Sequence, residues 1–208
     1  MSTIDLWACE RPHWQAGETL VCGVDEAGRG PLAGPVCAAA VIFPPNLDLE
    51  TELPGLNDSK KLTDQKRRAL FDKIRACAVS YCVAWASRQE IDEHNILQAT
   101  YMAMNRAVAG LSRRPETVLV DGNRDPGLGL PTELIVKGDS RSASIAAASI
   151  LAKVSRDDVL LELARQYPQY GFEVHKGYGT KRHYAALEDF GPCPEHRTTF
   201  LKKFYAKK

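Results

Sequence analysis

Short apolar runs alternate along the chain with longer segments in which apolar residues recur at helical spacing. Five runs have the length and β-forming content of buried strands, at residues 21–24, 35–43, 79–86, 117–120 and 134–136. Helical segments are indicated after the cap candidates Thr63 and Asp64, from Glu90 onward, over 142–166 and over 181–190. The alternation predicts an α/β protein whose helices pack on one sheet, with the first two runs as paired strands.

The predicted helix at residues 142–166 is almost free of large polar residues in its first half, SASIAAASILAKV. Small side chains on every face indicate close burial against the sheet, with Ser140 or Ser142 as the cap. A membrane helix is the alternative. Its length and its charged residues argue against it, and those residues are Lys153, Arg156, Asp157 and Asp158.

Acidic residues follow three of the predicted strands, and they are Asp25, Glu26, Asp121 and Asp139. Adjacent acids are most often simply solvated, but acids at the carboxyl ends of neighbouring strands face the edge where α/β folds place ligands. Carboxylates that converge there repel one another, and a cation resolves the repulsion. Ligation by oxygen alone favours magnesium or manganese over zinc.

A short loop, Gly28-Arg29-Gly30, comes directly after the first two acids. Its glycines let the backbone approach a ligand closely, and arginine is a cation suited to phosphate. An ordinary turn is the alternative. The loop beside metal-binding carboxylates predicts a site for a phosphate-containing substrate.

Two further loops carry candidate phosphate contacts. Lys60 and Lys61 lie in the first, where a solvated lysine pair is the alternative. The second, residues 174–180, contains His175, Lys176 and Tyr178 among glycines. An aromatic ring in such a loop can stack on a sugar or base while the lysine holds phosphate, although a tyrosine in a tight turn often only packs.

Composition adds little to this picture, because 44% hydrophobic and 25% charged residues are ordinary values and the net charge is +1. Any attraction to nucleic acid must therefore be local. Residues 175–208 hold eight lysines and arginines against three acids. This end of the chain is the candidate basic segment.

A single domain of 208 residues is predicted, with a core at about 20–166 and a helical, basic C-terminal segment at about 167–208. The six cysteines form no C-x-x-C pair and lie partly in apolar runs, which favours buried free thiols. Neither a signal peptide nor a membrane span is recognised. We therefore expect a cytoplasmic protein without membrane association.

Five motifs resemble those of the type 2 ribonucleases H, the bacterial ribonuclease HII family. In chain order they read DEAGRGPLAGP, NDSKKLT, VLVDGN, KGDSRSASIAAASILAKVSRD and HKGYGT. They cover nearly the whole chain. Type 3 enzymes are similar, but they carry lysine where Arg29 stands and an extra N-terminal domain, for which the 24 residues before Asp25 are too few.

The resemblance implies a ribonuclease H-like fold, a mixed sheet flanked by helices, with a small helical C-terminal extension. It implies an endoribonuclease that cuts the RNA strand of RNA–DNA hybrids with two Mn²⁺ or Mg²⁺ ions held by Asp25, Glu26, Asp121 and Asp139. The loop 28–30 would sense the ribonucleotide 2′-hydroxyl, and Tyr178 would pack on the neighbouring deoxyribose. Cleavage 5′ of a single embedded ribonucleotide would leave 3′-hydroxyl and 5′-phosphate ends.

Two rival functions remain at this point: a non-catalytic binder of hybrid duplexes, and another polynucleotidyl transferase such as a transposase or junction resolvase. The first has no use for four strand-end acids, and the loops at 28–30 and 175–180 argue against the second. His175 could assist proton transfer, or it could be structural or face phosphate. We expect a monomer that acts in ribonucleotide removal during DNA replication and repair.

Overall fold

The structure is a computed structural model that describes residues 5–206, except for the side chain of Lys203. Lys207 and Lys208, which belong to the predicted basic segment, lie outside the described residues. Among the helices of the described part, none combines the length and the apolarity that a bilayer crossing requires.

Five strands and eight α-helices make up the described chain. The strands are β1 (Val21–Ala27), β2 (Val36–Ile42), β3 (Ser80–Ala86), β4 (Thr117–Asp121) and β5 (Thr132–Ile135). The helices are α1 (Arg11–Gln15), α2 (Leu49–Glu52), α3 (Asp64–Cys77), α4 (Arg88–Ala109), α5 (Ala143–Gln166), α6 (Phe172–His175), α7 (Lys181–Phe190) and α8 (Thr198–Tyr205). Short 3-10 turns occur at Ser59–Lys61, Gly138–Ser140 and Pro168–Tyr170.

The strands form one mixed sheet in the order β3-β2-β1-β4-β5. Strand β1 runs antiparallel to β2 and parallel to β4, while β2–β3 is antiparallel and β4–β5 is parallel. The predicted α/β fold with a mixed sheet flanked by helices and a helical C-terminal part is confirmed. The central position of β1 explains why its apolar residues from Val21 to Val24 are buried.

Strand β2 is buried on both faces, and this explains its unbroken apolar sequence. Its even-numbered residues, from Val36 to Ile42, pack in a core with the apolar face of α4. Its odd-numbered residues, from Cys37 to Val41, pack with α3 and α5. Successive side chains of a strand point to opposite faces, so each face of β2 contributes to a separate core.

Helix α5 lies so close to β1 that only glycine fits between them. A Cβ built on Gly23 would come within 2.2 Å of the carbonyl carbon of Ser144. The small residues predicted to be buried are buried, and the Ile145 N–H donates to the Ser142 hydroxyl at 3.1 Å to cap the helix. The alternative cap, Ser140, belongs instead to the preceding 3-10 turn.

Two strands, β1 and β5, differ most from those predicted, and the bounds of the other three differ by one residue. Strand β1 continues past residue 24 to Ala27, because its last residues keep their antiparallel pairing with β2. Strand β5 begins at Thr132 and stops at Ile135, before the predicted residue 136. Lys137 adopts a left-handed conformation (φ 56°), which turns the chain out of the sheet into the 3-10 turn that carries Asp139.

A separate apolar cluster joins the C-terminal helices to the second half of α5, around Leu160, Tyr170 and Phe172. Two fully buried histidines lie in this region, and their hydrogen bonds define one set of neutral tautomers. The Cys193 N–H donates to His196 Nδ1 at 2.9 Å, so His196 Nε2–H donates to His183 Nε2 at 2.9 Å. His183 Nδ1–H then donates to the carbonyl of Tyr178, also at 2.9 Å.

This chain of hydrogen bonds through His196 and His183 predicts a loss of stability in mild acid. Burial lowers the pKa of both His183 and His196 to about 4, so both are neutral in the folded protein at pH 7. A histidine with a lowered folded pKa stabilises the fold above its unfolded pKa of about 6.5, and this contribution is lost as the pH falls toward 4. We expect each histidine to contribute a loss on the order of 2 kcal/mol in the free energy of unfolding between pH 7 and pH 5.

Urea unfolding at both pH values measures this loss, and His183→Gln should show a shallower pH dependence than the parent. The exposed His94, replaced by glutamine in the same way, is the matched control. An unchanged pH dependence in the His183 variant would contradict the assignment.

Candidate active site

Two acids are placed side by side by the register of the central strands. The parallel pairing of β1 with β4 aligns Val24 with Val120. Asp25 and Asp121 are the next residues on these two strands, so both carboxylates reach the same edge of the sheet. Asp25 is buried and Asp121 is half-buried.

Asp139 reaches this edge from the 3-10 turn after β5. The Gly138 N–H donates to Asp121 Oδ1 at 2.7 Å, which ties the turn to the end of β4. One carboxylate oxygen from each of Asp25, Asp121 and Asp139 lies within 4.8 Å of the other two. Three of the four predicted acids therefore converge.

Glu26 is not part of this group of three. Neighbouring residues of a strand point to opposite faces, so its side chain leaves β1 in a different direction from that of Asp25. The Arg29 guanidinium donates to Glu26 Oε1 at 3.3 Å. Glu26 still lines the same cavity as Asp25.

Crowding and burial make the carboxylates hard to ionise without a cation. Burial, followed by the negative charges of Glu26 and Asp121, raises the pKa of Asp25 well above its ordinary value. Burial also raises the pKa of Glu26, and burial with the charge of Asp121 raises the pKa of Asp139. Each shift disfavours the charged form, so the site favours binding of positive charge.

The donor set fits a hard divalent cation. Asp25, Asp121 and Asp139 offer only carboxylate oxygens, which suit magnesium or manganese better than zinc. The Lys60 ammonium lies 3.8 Å from Asp139 Oδ2, but its side chain is 79% exposed. A single solvated lysine offsets only a small part of the negative charge of the three clustered carboxylates.

A cavity of about 240 Å³ opens beside the acids. It is lined by both glycines and the arginine of the loop 28–30, by Lys60 and by Tyr178. Tyr178 is 45% exposed, and a Cβ built on Gly30 would lie 3.5 Å from its ring. The two motifs that the resemblance connects with the substrate sugars therefore face each other.

An adjoining cavity of about 430 Å³ shares Glu26 and Arg29 with the first and is also lined by Asp121. Its other wall includes Asn123 and Arg124, from the loop after β4. The two cavities together extend the acidic centre into a longer cleft.

Other predicted contacts lie outside these two cavities. Lys61 is exposed, and the Lys176 ammonium donates to the carbonyl of Glu173. His175 is buried, where its Nδ1 accepts from the Gly177 N–H at 3.2 Å and its Nε2 contacts the Tyr170 carbonyl at 2.8 Å. Both ring nitrogens of His175 are thus used inside the protein.

Sequence reasoning missed two residues of the cavity wall, Lys153 and Arg156. It treated them only as charges that exclude a membrane helix. Their spacing of three places them on one side of α5, and a charged stripe on an otherwise apolar helix is the signal that could have identified them. Lys153 is ion-paired with Asp157 at 2.7 Å, and Arg156 is fully buried.

Comparison with known proteins gives a consistent result. A family model described as Ribonuclease HII matches residues 22–207. Ribonuclease HII 1 of Methylibium petroleiphilum is 60% identical over 181 residues, which are 87% of this chain and 89% of that protein. Ribonuclease HII of Clostridioides difficile is 50% identical over 202 residues, 97% of this chain and 77% of that protein. The crystal structure of ribonuclease H2 from Pyrococcus horikoshii superposes with a TM-score of 0.77 at 29% identity, covering 90% of this chain and 99% of that one.

The repulsion among the three carboxylates predicts how Asp121→Asn will change the melting temperature. Removing one of three clustered charges should raise the melting temperature in a chelator by about 2–4 °C, as expected for a gain of roughly 1 kcal/mol. Mn²⁺ should raise the melting temperature of the parent but not that of the variant. Thermal melts with and without Mn²⁺ measure both effects.

Asp72→Asn, at an exposed acid of α3, is the matched control and should respond to Mn²⁺ as the parent does. Equal stabilisation of the parent and the Asp121 variant by Mn²⁺ would count against this group as the metal site.

Proposed function

The chain belongs to the ribonuclease HII family, and from that premise we propose that it cuts RNA–DNA hybrids and also incises 5′ of single ribonucleotides in duplex DNA by two-metal-ion catalysis. Membership of the family makes the chain a metal-dependent ribonuclease H. One observation supports the finer proposal above all others. Asp25, one of the three convergent carboxylates, lines the cavity in which the loop 28–30 faces Tyr178.

Asp25, Asp121 and Asp139 are the proposed metal ligands, and Glu26 is the proposed fourth. When bound, divalent cations supply Lewis acidity toward the phosphodiester and make water a better nucleophile at neutral pH. The protein contributes a rigid arrangement of carboxylates, because two of them lie on paired strands and the third is tied to Asp121 through Gly138. Lys60 lies at the mouth of this centre, where it can meet a phosphate oxygen.

We assign the choice of substrate to the wall of the cavity that lies opposite the carboxylates. Gly28 has a positive φ of 97°, and a Cβ there would collide with the Arg156 side chain at 2.0 Å. The lack of a side chain therefore lets the loop backbone pack directly on Arg156 in the wall of the cavity. We assign the reading of the 2′-hydroxyl to this backbone, and packing on the adjacent deoxyribose to the exposed ring of Tyr178.

His175 receives a supporting role in this proposal. Its two hydrogen bonds hold the turn that leads from α6 to Tyr178, and burial lowers its pKa, which keeps it neutral. A buried neutral ring is poorly placed to contact phosphate or to exchange protons with water. Lys61 and Lys176 are assigned peripheral contacts with the duplex backbone.

The rival functions fit this site less well. A non-catalytic binder of hybrids gains nothing from three clustered carboxylates, which raise the cost of binding phosphate unless a cation is present. A transposase or resolvase has no need for a loop and a ring arranged to distinguish ribose from deoxyribose. The convergence of both features in one cavity favours the ribonuclease.

We extend the proposal to the setting in which the enzyme acts. Removal of ribonucleotides during DNA replication and repair is the role that fits a junction-reading nuclease. We propose that residues 1–208 form one domain that works as a monomer in the cytoplasm. The free cysteines of the described chain, three of them buried, support a reducing compartment.

Three duplexes test substrate choice: all-DNA, DNA with one ribonucleotide, and a continuous hybrid, each with the same metal. We expect the one-ribonucleotide duplex to be cut on the 5′ side of the ribonucleotide. The all-DNA duplex should be cut slower by about 10⁴-fold, since a site built to bind a hydroxyl rejects a substrate without it. Gel analysis of end-labelled products measures both results.

Tyr178→Ala should reduce cleavage at the single ribonucleotide by about tenfold or more through lost stacking, while Mn²⁺ still raises the melting temperature. Tyr205→Ala, at another exposed tyrosine, is the matched control. An intact enzyme that cuts the continuous hybrid but not the one-ribonucleotide duplex would rule out the junction-reading role.

A further inference from the structure

Arg197 is a fully buried arginine. Each hydrogen bond that its side chain donates goes to a backbone carbonyl. Its Nη2 donates to the carbonyl of Gly28 at 2.7 Å and its Nη1 to that of Arg29 at 3.0 Å. Its Nε donates to the carbonyl of Gly34 at 2.9 Å, and Nη2 also reaches Pro35 at 3.2 Å. None of the ion pairs found within residues 5–206 includes Arg197.

These hydrogen bonds determine the direction of two amide groups. In a trans peptide the C=O and the following N–H point in opposite directions, and the described chain contains no cis peptide. With the Gly28 and Arg29 carbonyls turned toward Arg197, the N–H groups of Arg29 and Gly30 must point away from it. Gly28, Arg29 and Gly30 line the cavity and Arg197 does not, so these N–H groups face the cavity.

Both amides remain available to a ligand. Neither the Arg29 N–H nor the Gly30 N–H donates a hydrogen bond to another group of residues 5–206. Adjacent free N–H groups form a concave donor pair that suits an oxygen of a sugar or phosphate. The guanidinium behind them adds positive potential in a region from which water is excluded.

The position of Arg197 is itself held by the surrounding chain. Its own N–H donates to the Leu32 carbonyl at 2.8 Å, and His196 forms a β-bridge with Ala33. Arg156 adds a second buried guanidinium, which donates to the carbonyls of Ala33 and Lys176. The two guanidiniums therefore support this region from two sides, but among residues 5–206 only Arg197 donates to carbonyls of the segment 28–30.

From this geometry we infer that Arg197 is a positioning residue for substrate choice, which aims the Arg29 and Gly30 amides at the ribonucleotide. The inference rests on the proposed function, because it names the group that sets the orientation of the reading loop. Arg197 does not touch the substrate. Its effect should appear in discrimination between substrates and leave the metal centre unchanged.

Arg197→Lys tests the inference, because lysine keeps the charge but cannot donate to several carbonyls in the planar arrangement of a guanidinium. We expect kcat/KM for the one-ribonucleotide duplex to fall by about tenfold or more relative to the all-DNA duplex, which lacks the hydroxyl that the amides read. The rise in melting temperature produced by Mn²⁺ should be unchanged. Arg106→Lys is the matched control, since Arg106 also donates to a backbone carbonyl, that of Trp85, far from the cavity.

The outcomes separate this inference from the proposed function. If the parent does not cut the one-ribonucleotide duplex, the proposed function fails whatever the variant does. If the parent cuts it and the folded Arg197 variant loses activity equally on the one-ribonucleotide and the all-DNA duplexes, Arg197 is only structural and the inference is overturned.

A measurement on the unmodified protein covers the case in which Arg197→Lys does not fold. In a chelator, where no duplex is cut, the amide resonances of Arg29 and Gly30 and the Nε–H resonance of Arg197 can be followed by NMR. All three should shift with the one-ribonucleotide duplex and not with all-DNA duplex. Equal shifts with both duplexes would overturn the inference.

Discussion

The close packing of helix α5 on strand β1 is the constraint on which the sheet and the cavity both depend. Contact with Ser144 leaves no room for a side chain at Gly23. The first turn of α5 is thereby fixed beside the turn that carries Asp139, and its middle brings Arg156 beneath the loop 28–30. A shift of helix α5 by one residue would both separate the acids and remove the support of the loop 28–30.

Much of this arrangement was predictable because it follows from local patterns. The strand order was not predicted, but the acids after the runs at 21–24 and 117–120 were recognised, and the register of two parallel strands makes them neighbours. Asp139 was identified for a reason that was only partly right. It is delivered by a 3-10 turn and not by a strand end, because the left-handed Lys137 redirects the chain, a conformation that composition does not reveal.

The buried arginines could not be interpreted from sequence, because their roles depend on residues far away in the chain. The charge pattern assigned Arg197 to a basic segment facing nucleic acid, whereas the structure buries it completely. Burial lowers its pKa to about 9, which leaves it charged at pH 7. The same limit applies to His183 and His196, whose pairing requires helix α7 and the turn before α8 to meet. The apolar periodicity of a sequence predicts each helix or strand separately, whereas these contacts lie between different helices, strands and loops.

The bond between Arg197 and Gly28 joins residues 169 positions apart, which has a consequence during protein synthesis. A chain leaves the ribosome from its N-terminus, so the segments that carry Asp25, Asp121 and Asp139 emerge well before Arg197 does. The hydrogen bonds that support the loop 28–30 can therefore form only after nearly the whole chain has been made.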